Sequence, residues 1–235
     1  MGQELPSTKP LNNTLISLLL HFSIWGLNSF PQPSQNNQSN NMTRIGLISD
    51  THMPGTLKEL WPAALTFLEG SDYILHAGDL HTLDIVDRLT AIAPTYVARG
   101  NGDEGLDDSR LRNHWLLDFS GIKIGLIHQC PSPERKSTQT IHKKLLRHFD
   151  TLPDILIFGH THYEVLIADH ELLFINPGSA ILPRNQSVRP GTLGEIIIDQ
   201  GKVQVSLHQI VDTSTIPHPE ISTMTYSPQT SQLPL

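Results

Sequence analysis

The feature that most constrains this chain is a short apolar run that stops abruptly at two polar side chains. Residues 44–49 are typical of a buried strand, and Asp50 and His52 follow directly. Side chains two positions apart point to the same side of an extended chain, whereas on a helix they diverge. Asp50 and His52 can therefore share a ligand only if the chain stays extended beyond Ser49.

Apolar runs of the same kind recur along the chain and alternate at first with amphipathic segments. The next strands are predicted at residues 73–76 and 95–98, and helices are predicted at residues 55–69 and 82–92. An order of strand, helix and strand is typical of parallel βαβ units. The first half of the chain therefore favours a parallel sheet.

The second half of the chain contains more strands than helices. A turn at Ser120-Gly121 predicts a hairpin, and the apolar periodicity of residues 134–149 predicts a helix. Further strands are predicted at residues 115–119, 122–127, 154–158, 165–168, 172–175, 194–198 and 203–211. We therefore expect an α/β fold in which two sheets carry helices on their outer faces.

Both ends of the chain differ from the middle in composition. Residues 1–42 carry few charges and end in a polar low-complexity run, so we expect a disordered extension or a start site upstream of the true one at Met42. Residues 212–235 are rich in Ser, Thr and Pro, which predicts a disordered tail and leaves residues 43–211 as one domain. The apolar stretch 15–27 is shorter than the ~20 residues of a membrane span and lacks a cleavage motif, so we predict a cytoplasmic protein.

Charge and histidine content narrow the possible functions. A formal charge of −7 over 235 residues disfavours a nucleic-acid binder that relies on a basic surface. Thirteen histidines, several of them close together, fit metal binding or acid–base chemistry. Cys130 is the only cysteine, so an intrachain disulfide is excluded and an ordinary thiol is expected.

Residues able to bind a metal stand at the carboxyl ends of several predicted strands, where open α/β sheets gather their active sites. They are Asp50, His52, Asp79, Asn101, His128, His160 and His162. Each residue taken singly has another possible role. Asp79 is also typical of a turn or a helix cap, Asn101 of a left-handed turn, and His128 of a loop in which its ring is hydrogen-bonded. Their joint occurrence favours a metal site. Oxygen and imidazole ligands without thiolate indicate manganese, iron, zinc, nickel or cobalt.

These residues fall into five ordered blocks that resemble the calcineurin-like metallophosphoesterases. The blocks are Asp50-x-His52, Gly78-Asp79, Gly100-Asn101-x-Asp103, His128 and Gly159-His160-x-His162. A further run, Asn176-Pro177-Gly178-Ser179, resembles the small single-domain prokaryotic phosphodiesterase branch of that superfamily. The resemblance implies a four-layer α/β/β/α sandwich of two mixed sheets with helices outside.

The same resemblance implies a two-metal site. By position, one metal is held by Asp50, His52 and His162, the other by Asn101, His128 and His160, and Asp79 bridges them. Two divalent ions are thus the expected cofactors, with manganese first and nickel, iron, zinc or cobalt as alternatives. The implied activity is hydrolysis of a small phosphoester, most simply a phosphodiester, by a bridging hydroxide.

Two positions depart from patterns within the superfamily. Gln129 follows His128 where a glycine is frequent, and Gly102 stands where the phosphoprotein phosphatase branch has a histidine. The small phosphodiesterase branch commonly lacks that histidine, so Gly102 agrees with a preference for diesters. Asp103 is a candidate catalytic proton donor, and a role in stabilising its own turn is the alternative.

A different class of function is the alternative to an enzyme. The metallophosphoesterase-fold subunit of the retromer sorting complex resembles this domain but acts as a protein-interaction scaffold with parts of its metal site altered. The complete set of predicted ligands favours the enzyme. We expect a small phosphoester substrate, no nucleic-acid or membrane partner, and a chain that is free to form a homo-oligomer.

Overall fold

The secondary structure agrees in order with the prediction but extends further towards the C-terminus. A computed structural model describes residues 42–169 and 172–228, so the predicted N-terminal extension lies outside the described residues apart from Met42. The strands are β1 (Thr43–Ile48), β2 (Tyr73–His76), β3 (Thr95–Ala98), β4 (Leu111–Arg112), β5 (His114–Phe119), β6 (Ile122–Ile127), β7 (Ile155–Ile157), β8 (Glu164–Asp169), β9 (Leu172–Pro177), β10 (Thr192–Asp199), β11 (Lys202–Val211), β12 (Ser214–Pro217) and β13 (Met224–Tyr226). The α-helices are α1 (Pro62–Leu68), α2 (Asp84–Thr90) and α3 (Thr138–Leu145), and 3₁₀ turns cover Asn101–Asp103 and Pro183–Asn185.

The larger sheet has eight strands and carries the first half of the candidate site. Its order is β12, β11, β10, β1, β2, β3 and β4, and β13 also pairs with β11. The strands β1 to β4 run parallel, whereas β10 lies antiparallel to β1. The carboxyl ends of β1, β2 and β3 therefore meet at one edge of the sheet, as the sequence predicted.

The smaller sheet carries the second half of the site and packs face to face on the larger one. Its order is β5, β6, β7, β9 and β8, with β6, β7 and β9 parallel. The two sheets meet where the Trp115 ring stacks edge-on against Tyr96 at 4.9 Å and its Nε1–H donates to the carbonyl of Val97 at 2.8 Å. Burying the indole between the sheets in this way satisfies its one donor.

The helices cover the outer face of each sheet. From α1 and α2, Leu68 and Val86 join an apolar cluster with Ile48 of the larger sheet, and Ile141 of α3 packs with Phe174 of the smaller one. The predicted four-layer α/β/β/α arrangement is confirmed. Along the part of the chain that the structure describes, no helix has both the length and the apolar character to cross a bilayer.

The prediction of a disordered tail from residue 212 is wrong for residues 212–228. Strand β12 pairs with residues 208–211 of β11, and β13 pairs with residues 203–205 of the same strand. Composition pointed to disorder because this segment has few apolar side chains. Backbone hydrogen bonds to the exposed edge of a ten-residue strand depend little on side chains, so a polar segment can still add to the sheet.

Candidate metal centre

The loop after β1 brings Asp50 and His52 together, but by a different route from the predicted one. The strand ends at Ile48, and Asp50 and His52 adopt left-handed backbone angles of φ 52° and φ 49°. Their backbone N–H groups donate to the carbonyls of Gly78 and Asp79, each at 2.9 Å. The expectation that Asp50 and His52 can share a ligand only in an extended chain is therefore wrong, because these bonds hold a left-handed loop against the loop after β2. The side chains still converge, with 4.0 Å between Asp50 Oδ1 and His52 Nε2.

Six of the seven predicted ligands form two groups in which the potential ligand atoms lie within 4.8 Å of one another. The first group consists of Asp50, His52 and His162, and the second of Asp79, His128 and His160. The seventh, Asn101, joins the second group, since its Oδ1 lies 3.1 Å from both His128 Nε2 and His160 Nδ1. The structure thus brings all seven side chains to one place.

The first group offers nitrogen and oxygen lone pairs to a cation. His162 Nδ1 must carry the ring proton because it donates to the carbonyl of Leu182 at 2.7 Å. Its bare Nε2 then lies 3.0 Å from His52 Nε2 and 3.5 Å from Asp50 Oδ1. Three potential hydrogen-bond acceptors this close together need a proton or a cation between them. This set of ligand atoms therefore fits a divalent metal.

The second group shares a carboxylate with the first. His128 Nδ1–H donates to the carbonyl of Ala77 at 2.7 Å, which turns Nε2 towards Asp79 Oδ2 at 3.4 Å. The same Asp79 oxygen lies 3.7 Å from His52 Nε2 in the first group. Asp79 Oδ1 is occupied by the backbone N–H of Gly102 at 2.7 Å. One oxygen of Asp79 therefore faces both groups while the other anchors the side chain.

Burial shifts the charges in the first group towards neutral forms. It raises the pKa of the fully buried Asp50 to about 7 and lowers the pKa of His52 to about 4. Burial also lowers the pKa of His162. The two imidazoles are therefore neutral near pH 7, which is the form that binds a metal.

The second group keeps its charge more readily. Burial alone would raise the pKa of Asp79, but hydrogen bonds from His128 and the Gly102 N–H lower it well below its ordinary value. Burial also opposes the charge on His128, yet its hydrogen bond with Asp79 and the nearby Asp50 raise the pKa of the imidazole overall. Asp79 is thus an ionised carboxylate across the working pH range.

Asp103, the candidate proton donor, is placed where it stabilises the loops of the site. It is fully buried, and its carboxylate accepts four backbone N–H groups. The donors are Asp79 and Gly100 to Oδ2, at 2.9 and 2.8 Å, and Leu80 and His81 to Oδ1, at 2.6 and 3.0 Å. Both oxygens of this side chain face backbone N–H donors and not the candidate ligands, so the geometry supports the turn-stabilising alternative.

Two side chains that the sequence reading left out of the site also contact its members. His81 Nε2 lies 3.0 Å from His52 Nδ1, and the Gln129 side-chain amide lies 2.8 Å from His160 Nε2. Gln129 was visible as a departure from a family pattern. His81 gave no signal, because it stands in a loop two residues past Asp79 where any polar residue is common.

Comparison with known proteins agrees with the site. The sequence profile of the calcineurin-like phosphoesterase superfamily domain matches residues 43–196. A probable metallophosphoesterase of Methanothermobacter thermautotrophicus is 34% identical over 142 residues, 60% of this chain and 78% of that protein. A second, from Methanocaldococcus jannaschii, is 33% identical over 143 residues, 60% of this chain and 69% of that protein.

Among solved structures, vacuolar protein sorting 29 of Cryptosporidium parvum shares the fold. It superposes with a TM-score of 0.66 at 22% identity, covering 79% of this chain and 98% of that one. Carboxylates and imidazoles gathered in two adjoining groups on this fold place the chain among the metal-dependent phosphoesterases. More particularly, it belongs to the calcineurin-like phosphoesterase superfamily, because the profile match spans most of its length. The predicted family is thereby confirmed.

Proposed function

We propose that this chain is a metal-dependent phosphodiesterase with a two-metal site. One ion would be held by Asp50, His52 and His162, the other by Asn101, His128 and His160, with Asp79 between them. The observation that supports this most directly is the position of Asp79 Oδ2, which faces His52 and His128 at once. Manganese is the proposed metal, and nickel, iron, zinc or cobalt are alternatives.

The protein prepares these side chains before any ligand binds. When bound, two divalent ions supply Lewis acidity and an activated water for attack on phosphorus. The chain fixes the ligand tautomers, since the backbone carbonyls of Ala77 and Leu182 accept the Nδ1 protons of His128 and His162. In its neutral form each ring then presents an Nε2 lone pair in a fixed position, which lowers the ordering cost when a metal binds.

Charge and the residue at position 102 support a diester substrate. Two carboxylates against two divalent ions leave a site of about two positive charges, in a protein of net charge −7. Gly102 offers no side chain to protonate a leaving group, and the Asp103 carboxylate is occupied by four N–H groups. A diester carries one charge fewer than a monoester dianion and suits such a site. The proposed substrate is a small cytoplasmic phosphodiester.

A protein-interaction scaffold is the second candidate, and the fold shared with vacuolar protein sorting 29 is the observation that favours it. A scaffold does not require a complete metal site. In this chain all seven candidate ligands are present and converge, so the enzyme is the better supported function.

The test is an assay of chelator-treated protein after addition of one metal at a time. Bis(p-nitrophenyl) phosphate and p-nitrophenyl phosphate share a leaving group and differ in ester type, so their turnover compares diester with monoester. We expect metal-dependent hydrolysis that is faster with the diester. Hydrolysis of neither substrate by fully metal-loaded protein would refute the enzyme and leave the scaffold. Faster monoester hydrolysis would refute the proposed specificity alone.

A further inference from the structure

His81 lies at the rim of the candidate metal centre and contacts it directly. It is exposed, adopts a left-handed backbone with φ 71°, and stands two residues after Asp79. Its Nε2 is 3.0 Å from Nδ1 of His52, and the two rings are nearly perpendicular, with centroids 4.6 Å apart. His81 therefore faces the side of the His52 ring that points away from the candidate ligands.

The two ring nitrogens of His52 have different surroundings. Nε2 faces inwards, 3.0 Å from His162 Nε2 and 3.7 Å from Asp79 Oδ2. A neutral imidazole that binds a metal through Nε2 must carry its proton on Nδ1, and that proton needs an acceptor. His81 Nε2 is in place to accept it, whereas His128 and His162 use backbone carbonyls for the same purpose.

Two neighbours hold the His81 ring in this position. The backbone N–H of His81 donates to Asp103 Oδ1 at 3.0 Å, which fixes the loop. Gly102 leaves the space that the ring fills, since a Cβ built on Gly102 would overlap with Nε2 and Cδ2 of His81. A side chain at position 102 would therefore displace the His81 ring from this position.

We propose that His81 is a positioning residue that accepts the Nδ1 proton of His52 and so presents His52 Nε2 to a divalent metal. The inference rests on the proposed metal site but not on the identity of the substrate. The His81 side chain would thus have the role that backbone carbonyls have for His128 and His162. Removal of a hydrogen-bond partner of this kind typically lowers metal affinity about 10- to 100-fold.

The test measures metal binding without any substrate. Mn²⁺ affinity is determined for the chelator-treated full chain by competition with a chromogenic chelator, in wild type and in variants at position 81. His81→Ala should bind one of its ions at least about tenfold more weakly. His81→Gln should restore most of the affinity, because the glutamine carbonyl reaches about as far as Nε2. His81→Asn, which tolerates the left-handed backbone but is too short, should behave like alanine.

His148→Ala is the matched control, since it removes another exposed histidine that is absent from both ligand groups. The second readout is the Nδ1 proton of His52 in protein loaded with diamagnetic Zn²⁺, observed in long-range ¹⁵N–¹H correlations of the imidazole rings. Wild type and His81→Gln should hold this proton in a hydrogen bond that exchanges slowly with water, and His81→Ala should lose that protection. Thermal melting of each variant identifies any that fail to fold, and for these the asparagine variant provides the comparison.

The outcomes separate this inference from the proposed function. Equal Mn²⁺ affinity in wild type, His81→Ala and His81→Asn would overturn the inference, and so would a loss that glutamine does not restore. Failure of the wild type to bind Mn²⁺ or any of the alternative divalent metals would overturn both. Altered affinity in the variants, together with no hydrolysis of any phosphodiester by the wild type, would refute the phosphodiesterase and leave the role of His81 standing.

Discussion

Replacing Asp103 with asparagine should destabilise the fold rather than merely slow a reaction. The carboxylate accepts four backbone N–H groups, two on each oxygen, from two separate loops. Asparagine keeps one acceptor oxygen and places an NH₂ group where the other stood, so two buried N–H groups lose their acceptor. Each unsatisfied group costs about 1–3 kcal/mol, which gives a loss of about 2–6 kcal/mol in the free energy of unfolding.

Urea denaturation of the metal-free protein measures this loss directly, because metal binding would otherwise add to the stability of the folded state. Asp118→Asn is a suitable control. Asp118 accepts a single N–H, from Gly121, at an exposed hairpin turn, so its replacement should cost less than about 1 kcal/mol.

The same variant distinguishes the two roles considered for Asp103. If it stabilises the loops, Asp103→Asn should lower stability and metal affinity together, since the loops carry Asp79, His81 and Asn101. If it were a proton donor, the variant would retain wild-type stability and lose turnover mainly with poor leaving groups. Unchanged stability in urea would therefore refute the structural assignment.

Three further results are expected. Asp79→Asn and His160→Ala should abolish hydrolysis and lower the metal content below two ions per chain, which elemental analysis would detect; unchanged content in both variants would contradict the two-metal site. Turnover of substituted phenyl and alkyl methylphosphates should fall steeply as the pKa of the leaving group rises, because Gly102 has no side chain to donate a proton and the Asp103 carboxylate is occupied by backbone N–H groups. A flat dependence would show that another residue acts as the general acid. The pKa of Asp50 is raised from 3.8 to about 7 in the folded protein, so folded protein retains a proton that unfolded protein releases. Relative to Asp50→Asn, metal-free wild type should therefore lose on the order of 4 kcal/mol of stability as the pH rises from about 4 to above 7. If the unfolding free energies of the two proteins change with pH in parallel, the pKa of Asp50 is not raised.

The strands were more predictable from the sequence than the helices. The predicted ranges 73–76, 95–98 and 122–127 coincide with β2, β3 and β6, because these apolar runs are buried and bounded by turn residues. The helix predicted at 55–69 is confined to Pro62–Leu68. Proline stands at its first turn, where its missing N–H costs nothing, and the apolar residues before it pack on the core as a loop. Periodicity alone does not separate such a loop from a helical turn.

The site was predictable in composition but not in conformation. Strand ends located all seven candidate ligands, since parallel strands must converge at one edge of a sheet. The roles of His81 and Asp103 depend on contacts between loops, such as the one that joins His81 to His52, 29 residues away in sequence. Left-handed backbone angles at the ligands also decide where the side chains point. These angles could not be predicted from the residue types at those positions.

Several residues of the site adopt left-handed backbone angles that residues other than glycine disfavour. They are Asp50, His52, Asp79, His81, His160 and His162. Such angles cost about 1–3 kcal/mol for a residue other than glycine, and inter-loop hydrogen bonds offset them. His81→Gly tests whether backbone strain at this position is retained for the sake of metal binding, because glycine adopts φ 71° without strain. It should raise the stability of the metal-free protein by up to about 1 kcal/mol and weaken Mn²⁺ binding as alanine does. A variant that is both less stable and normal in metal affinity would show that His81 serves the fold and not the metal site.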